Sequence, residues 1–268
     1  MLGNKKIRNP FPRIGLVCKY EFLSGTRTFV PVYLATMVLC LITGIFLTER
    51  ISAVSNTTFL AILGTACGLM SFAAFILTIV FIEKRFKKGM LENEAYLNLS
   101  LPVTITEHIL GRLLAYFTWG CIYIATSIIS GLLLACSQWN RIFNISLFEN
   151  AATQFYKDSG MHIISLLLLI ALFVLTLILL AVMFIFFVNT AASLVKKCRM
   201  LVEIAIIIIL FIIFGNILHA AFENLYGIGD ISAFITGLKR FILINLGTVI
   251  LDILGTIAIL KFRMNLEA

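Results

Sequence analysis

The chain has 268 residues, of which 61% are hydrophobic and 13% charged, and its formal net charge is +8. Soluble domains carry about 25% charged residues, so this composition excludes a soluble globular protein and predicts an integral membrane protein. A helix crosses the hydrocarbon core with about 20 apolar residues. Six stretches are long enough, and they predict an all-α polytopic fold with one transmembrane domain over residues 1-268: about 29-47, 57-82, 109-136, 162-188, 201-222 and 241-260.

Basic residues are distributed unevenly between the two ends of these spans. Most of the 21 Lys and Arg residues precede span one, follow spans two and four, or follow span six. Because cytoplasmic loops are enriched in Lys and Arg, we expect both termini in the cytoplasm. The basic residues would then set the orientation in the membrane and contact the anionic headgroups of the lipid bilayer. Nucleic acid is therefore not an expected partner.

The stretch RIGLVCKYEFLS before span one predicts a short amphipathic helix at the membrane interface. Arg13 and Lys19 would reach headgroups, Tyr20 would enter the acyl boundary, and Glu21 would lie among them. Gly25 is a typical stop signal and predicts the end of this helix. The alternative is a basic juxtamembrane tail, because isolated helices of about 12 residues are only marginally stable.

The connection after span two has a basic flank, then the segment LENEAYLNLSLP, then a Thr104-x-x-Glu107 capping box that predicts the start of the next helix. The middle segment predicts a short cytoplasmic amphipathic helix that Pro102 ends, and such a helix suits docking into a groove of a soluble partner. A solvated loop whose charges only fix topology is the alternative. The residues assigned to docking are Met90, Leu91, Glu92, Asn93, Glu94, Ala95, Tyr96 and Leu97.

Polar groups inside the predicted spans are candidates for a translocation path, because an ionisable side chain at a helix centre costs about 2.5 to 3.5 kcal/mol on insertion scales. Asp252 is central in span six and shares a face with Asn245 and Thr248. Span five carries Asn216 and His219. A packed interface in which these groups satisfy one another is the alternative interpretation.

Between spans five and six, the stretch ENLYGIGDISAFITGLKR over 223 to 240 combines glycines with an apolar cluster. It predicts a short re-entrant outer segment of one or two helices, whose freed backbone groups other parts of the protein would cover.

Sequence motifs of catalysis are missing from the chain. It contains no GxxxxGK[ST], HExxH or GxSxG pattern, and its three histidines are isolated. We therefore expect no ATP site in this chain, no enzymatic activity, and no metal or cofactor bound directly. The six cysteines form no CxxC pair and are interpreted as small apolar side chains.

Two parts of the chain, the connection after span two and the segment before span one, carry motifs of a known family. These motifs are Arg85-Phe86-Lys87, Met90, Asn93-Glu94-Ala95-Tyr96-Leu97, Leu101-Pro102-Val103-Thr104, Lys19-Tyr20-Glu21-Phe22 and Thr26-Arg27-Thr28. In these motifs the chain resembles the membrane subunit of type-2 ABC exporters, many of which have Gly at the position of Ala95.

This resemblance implies a permease in a bacterial cell membrane, paired with itself or with a related permease. Two cytosolic ABC ATPases would bind ATP and Mg, and the 91 to 101 segment would be the coupling helix in an ATPase groove. The implied cargo is amphipathic or hydrophobic: a peptide toxin, an antimicrobial peptide or a drug. The alternative is a non-transporting sensor, immunity or scaffold protein that uses the 83-107 loop for docking.

Overall fold

The structure is a computed structural model, and six long helices make up most of what it describes. All six are long and apolar enough to cross a membrane, which confirms the all-α polytopic fold. The described residues are 11–47, 57–92, 103–138, 149, 153–157, 160–195, 198–221 and 231–267. The helices are α1 (Phe11–Phe46), α2 (Thr57–Met90), α3 (Ile105–Leu134), α4 (Ile163–Ala192), α5 (Arg199–Ala221) and α6 (Ile231–Glu267), and a 3-10 turn (Ala135–Gln138) follows α3.

Helix α1 contains both the predicted interfacial helix and the first span, so the helix end predicted at Gly25 is wrong. A Cβ atom at Gly25 would lie 2.6 Å from Nε1 of Trp119 on α3. The indole N–H of Trp119 donates to the carbonyl oxygen of Phe22, at 3.2 Å. Gly25 therefore allows α3 to approach closely and does not end the helix.

Helix α2 continues beyond the predicted end of span two at residue 82, through the charged residues as far as Met90. Ile82, Phe86 and Met90 follow one another at four-residue spacing, and all three are buried. This apolar stripe keeps the segment helical because it packs against the bundle while the charged side chains point elsewhere.

Residues 231–240, predicted in the re-entrant segment, instead form the first turns of α6, and residues 222–230 lie outside the described residues. Ile235, Leu238 and Ile242 are buried at helical spacing. Ile235, from the apolar cluster that suggested a separate element, thus belongs to the packed face of a continuous helix.

Buried side chains of the described residues form two clusters. One joins α1, α2 and α3 through Phe29, Tyr33, Ala74 and Trp119. The other joins α2, α3, α4 and α6, and it includes Phe86 and Phe186, whose rings stack with centroids 4.1 Å apart. Helix α1 packs mainly on α3, and α4 packs mainly on α6. Helix α5 buries least of its apolar length against the described chain, so it is the helix most open to lipid or to another subunit.

Candidate functional site

A buried carboxylate joins the first three helices. Oε1 of Glu21 lies 3.1 Å from Nε of Arg112 on α3. Oε2 of Glu21 accepts hydrogen bonds from Nε of Arg85 on α2, at 3.2 Å, and from the hydroxyl of Tyr116 on α3, at 3.1 Å. We call these four residues the Glu21 cluster. It fixes α1 to the end of α2 and the beginning of α3.

Because the Glu21 cluster is largely buried, its charged side chains depend on one another. The side chains of Glu21 and Arg112 are 9% and 3% exposed, whereas that of Arg85 is 35% exposed. Arg112 therefore depends on the Glu21 carboxylate for charge compensation, because a buried guanidinium without a partner is strongly destabilising. Arg85 can still reach water if the carboxylate is lost.

Gly89 on α2 provides the space for the Arg112 side chain. A Cβ atom at this position would collide with the guanidinium group of Arg112. A side chain at position 89 would therefore force the buried Arg112 guanidinium to move away from its place in the Glu21 cluster.

We expect Gly89→Ala to displace the Arg112 guanidinium and to lower the midpoint of thermal unfolding in detergent. Gly64→Ala on the same helix is the matched control, because a Cβ atom there meets no other atom within 4 Å. It removes the same glycine flexibility, and an alanine in a helix interior is favourable by about 1 kcal/mol. Equal midpoints for the two variants would contradict the role assigned to Gly89.

The predicted capping box at the start of α3 is confirmed. The N–H of Thr104 donates to Oε2 of Glu107, at 2.7 Å, and the N–H of Glu107 donates to Oγ1 of Thr104, at 3.3 Å. Nη1 of Arg13 lies 3.7 Å from the same carboxylate oxygen. The cap therefore also holds the N-terminal turn of α1 against α3.

A second set of charges joins α2 to α5. Nζ of Lys87 lies 2.5 Å from Oε1 of Glu83 and 3.1 Å from Oε2 of Glu203. Nε of Arg199 lies 3.1 Å from the other oxygen of Glu203. These contacts and the Glu21 cluster lie at the same end of the bundle, where α2 ends and α3 and α5 begin.

The residues predicted for docking fall into three groups. Met90 and Leu91 are 3% and 7% exposed and belong to the core cluster with Ile109 and Leu113 of α3. Their side chains anchor the segment and do not face a partner, which corrects the sequence interpretation of these two residues. Glu92 is exposed. The remaining docking residues, Asn93, Glu94, Ala95, Tyr96 and Leu97, lie outside the described residues.

The residues predicted for the interfacial helix fall into two groups, one exposed and one that faces the rest of the protein. Lys19 and Tyr20 are exposed on α1, as a membrane-interface face requires. Glu21 points into the bundle, and Arg13 faces the α3 cap. The sequence shows an acidic residue among basic neighbours at Glu21, but the partners that bury it lie 64 and 95 residues further along the chain.

A cavity of about 300 Å³ lies between α4, α5 and α6. Its wall is mostly apolar, with Phe184 of α4 and Phe211 and Phe214 of α5, and its polar residues are Thr248 and Asp252 of α6. Among the described residues, no basic side chain lies within ion-pair distance of Asp252. A carboxyl group thus faces an apolar space in the central part of α6.

The other predicted path residues are not brought to this cavity. Asn245 is 1% exposed and faces the packed interior of the bundle, where its Nδ2 atom has no hydrogen-bond partner in the described part of the chain. Asn216 and His219 lie on the exposed surface of α5. Only Thr248 and Asp252 of the predicted set therefore share one site.

A second cavity of about 300 Å³ lies between α2, α4 and α5, beside the charges that join α2 to α5. Glu83, Asn189 and Glu203 contribute its polar lining. Ala181 and Phe184 of α4 line both cavities. Helix α5 is therefore packed loosely on α4 along much of its length.

Comparisons with known proteins identify no relative of this chain. No protein-family model, no curated protein and no solved structure matches it. Within the described ranges, no group of three or more His, Cys, Asp or Glu side chains is arranged to hold a metal ion. The structure therefore shows a polytopic all-α membrane protein. Its function is inferred below from the contacts of the described residues and from the sequence.

Proposed function

We propose that the chain is the permease subunit of an ATP-driven ABC exporter. It would pair with itself or with a related permease and move an amphipathic or hydrophobic cargo, such as a peptide toxin, an antimicrobial peptide or a drug, out of the cell. Cytosolic ABC ATPases would bind ATP and Mg and supply the energy. The observation that carries the proposal is the Glu21 cluster, which joins three membrane helices immediately before the predicted docking segment.

The contacts around this segment support a mechanical connection to the bundle. Met90 and Leu91 are anchored in the core, so a force on the following residues acts on α2 and α3 together. The Glu21 cluster carries such a displacement to α1, and the ion pair between Lys87 and Glu203 carries it to α5. Rigid-body rearrangement of packed helices is an established way to switch a membrane protein between states.

Co-purification tests the proposal. The full chain, tagged and expressed in its native host membrane, is expected to retain a protein with a Walker A motif. The double variant Glu94→Ala with Tyr96→Ala is expected to lose it, because the variant removes an acidic and an aromatic anchor of a docking helix. Mass spectrometry of the eluate and ATP hydrolysis by the purified sample measure both outcomes.

The matched control is the double variant Glu149→Ala with Tyr156→Ala. It removes the same residue types from the connection between α3 and α4, which the basic residues assign to the opposite side of the membrane. Retention of the ATPase by both double variants would refute docking through this segment. Retention of another protein in its place would favour a sensor, immunity or scaffold function.

A further inference from the structure

We propose that the cavity between α4, α5 and α6 binds a small amphipathic cation, whose charge pairs with Asp252 and whose apolar part lies against phenylalanine side chains. The proposal deepens the proposed export function and rests on it for the direction in which the bound molecule moves. Binding itself requires only this chain.

The position of Asp252 provides the first argument. An ionised side chain near a helix centre costs about 2.5 to 3.5 kcal/mol on insertion scales. Such groups are generally paired within the protein, yet the described residues offer no basic partner to Asp252. A cationic ligand would supply the missing partner in a medium where the attraction between charges is much stronger than in water.

The cavity wall provides the second argument. Phe184, Phe211 and Phe214 line the same space as the carboxyl group, and aromatic faces attract organic cations. A volume of about 300 Å³ is at the lower limit of small-molecule sites, so the site suits one compact ring or a short chain. A lipid acyl chain would fill the apolar part, but it would leave the carboxyl group without a partner.

Two probes of equal shape test the charge preference. Benzyltrimethylammonium carries a permanent positive charge, and neopentylbenzene is its uncharged carbon isostere. Saturation-transfer NMR and equilibrium dialysis on the purified full-length chain in lipid nanodiscs compare their binding. We expect binding of the cation to weaken by at least about tenfold in Asp252→Asn, which corresponds to about 1.4 kcal/mol. Binding of the neutral isostere should be unchanged.

Two further variants make the result specific. Glu149→Gln removes the carboxylate of an exposed residue between α3 and α4 and is expected to leave both probes unaffected. Leu177→Trp fills the cavity from α4 without altering Asp252 and is expected to weaken both probes. Each variant must elute from a size-exclusion column at the same volume as the wild type. If Asp252→Asn does not fold, Leu177→Trp still tests whether the probes bind in the cavity.

Two results would overturn the inference. One is equal binding of the cation by the wild type and Asp252→Asn; the other is a wild-type protein that binds the two probes equally. Because no ATPase is present in this measurement, either result would leave the co-purification experiment, and with it the proposed export function, standing. If the wild-type chain did not co-purify with an ATPase, the binding result would likewise remain valid.

Discussion

Replacement of Glu21 by glutamine is expected to lower the free energy of unfolding by about 3 kcal/mol, the lower end of the range for breaking a buried ion pair. The amide keeps the shape of the side chain but removes its charge. Arg112, whose side chain is 3% exposed, is then left buried without a counter-ion. Chemical unfolding in mixed detergent micelles, followed by far-UV circular dichroism, measures the change.

Glu83→Gln is the matched control for this prediction. Glu83 pairs with Lys87 one turn away on the same helix, and its side chain is 38% exposed. Such i,i+4 pairs contribute only about 0.3 to 0.5 kcal/mol. If Glu21→Gln is no less stable than Glu83→Gln, the Glu21 cluster does not hold the three helices together.

A double variant separates loss of charge compensation from loss of packing. Glu21→Gln combined with Arg112→Met removes the buried cation together with the charge of its partner, and apolar replacement of a buried pair is often neutral or stabilising. The double variant is therefore expected to be more stable than Glu21→Gln alone. A double variant that is less stable would mean that the Arg112 side chain acts mainly through its packing.

Truncation of Trp119 to alanine is also expected to destabilise the chain by about 3 kcal/mol, near the lower end for truncating a buried aromatic residue. Trp119 is 2% exposed and lies 4.7 Å, centroid to centroid, from the rings of both Phe22 and Phe29. Helix association in lipid depends largely on van der Waals packing, so the empty volume accounts for most of the effect. The unfolding assay used for Glu21→Gln measures it.

Two variants calibrate the result at Trp119. Trp119→Phe keeps a ring but removes the hydrogen bond to Phe22, and a loss of about 1 kcal/mol is expected. Phe72→Ala removes an aromatic side chain that is 62% exposed on α2 and is expected to have little effect. Similar losses for Phe72→Ala and Trp119→Ala would contradict a packed interface between α1 and α3.

The Glu21 and Trp119 predictions concern adjacent parts of the same interface. Phe22, which follows Glu21 in the chain, stacks on Trp119, while Tyr116, one turn before Trp119 on α3, donates to Glu21. A change at either position therefore loosens the contact through which the proposed coupling would reach α1. We expect the two effects on stability to be non-additive, as is usual for contacting residues.

The six spans and the Thr104–Glu107 capping box were predictable because hydropathy and capping depend on residues close together in the chain. The role of Gly25 was not predictable, because glycine is typical both of a helix end and of a close contact between two helices. The burial of Glu21 depends on Arg85 and Tyr116, distant in the sequence. Likewise, helical spacing grouped Asn245, Thr248 and Asp252, whereas the packing of α4 and α5 against α6 selects the two that face the cavity. Local patterns thus specify which segments become helices, and contacts between distant segments specify which of their side chains are brought together.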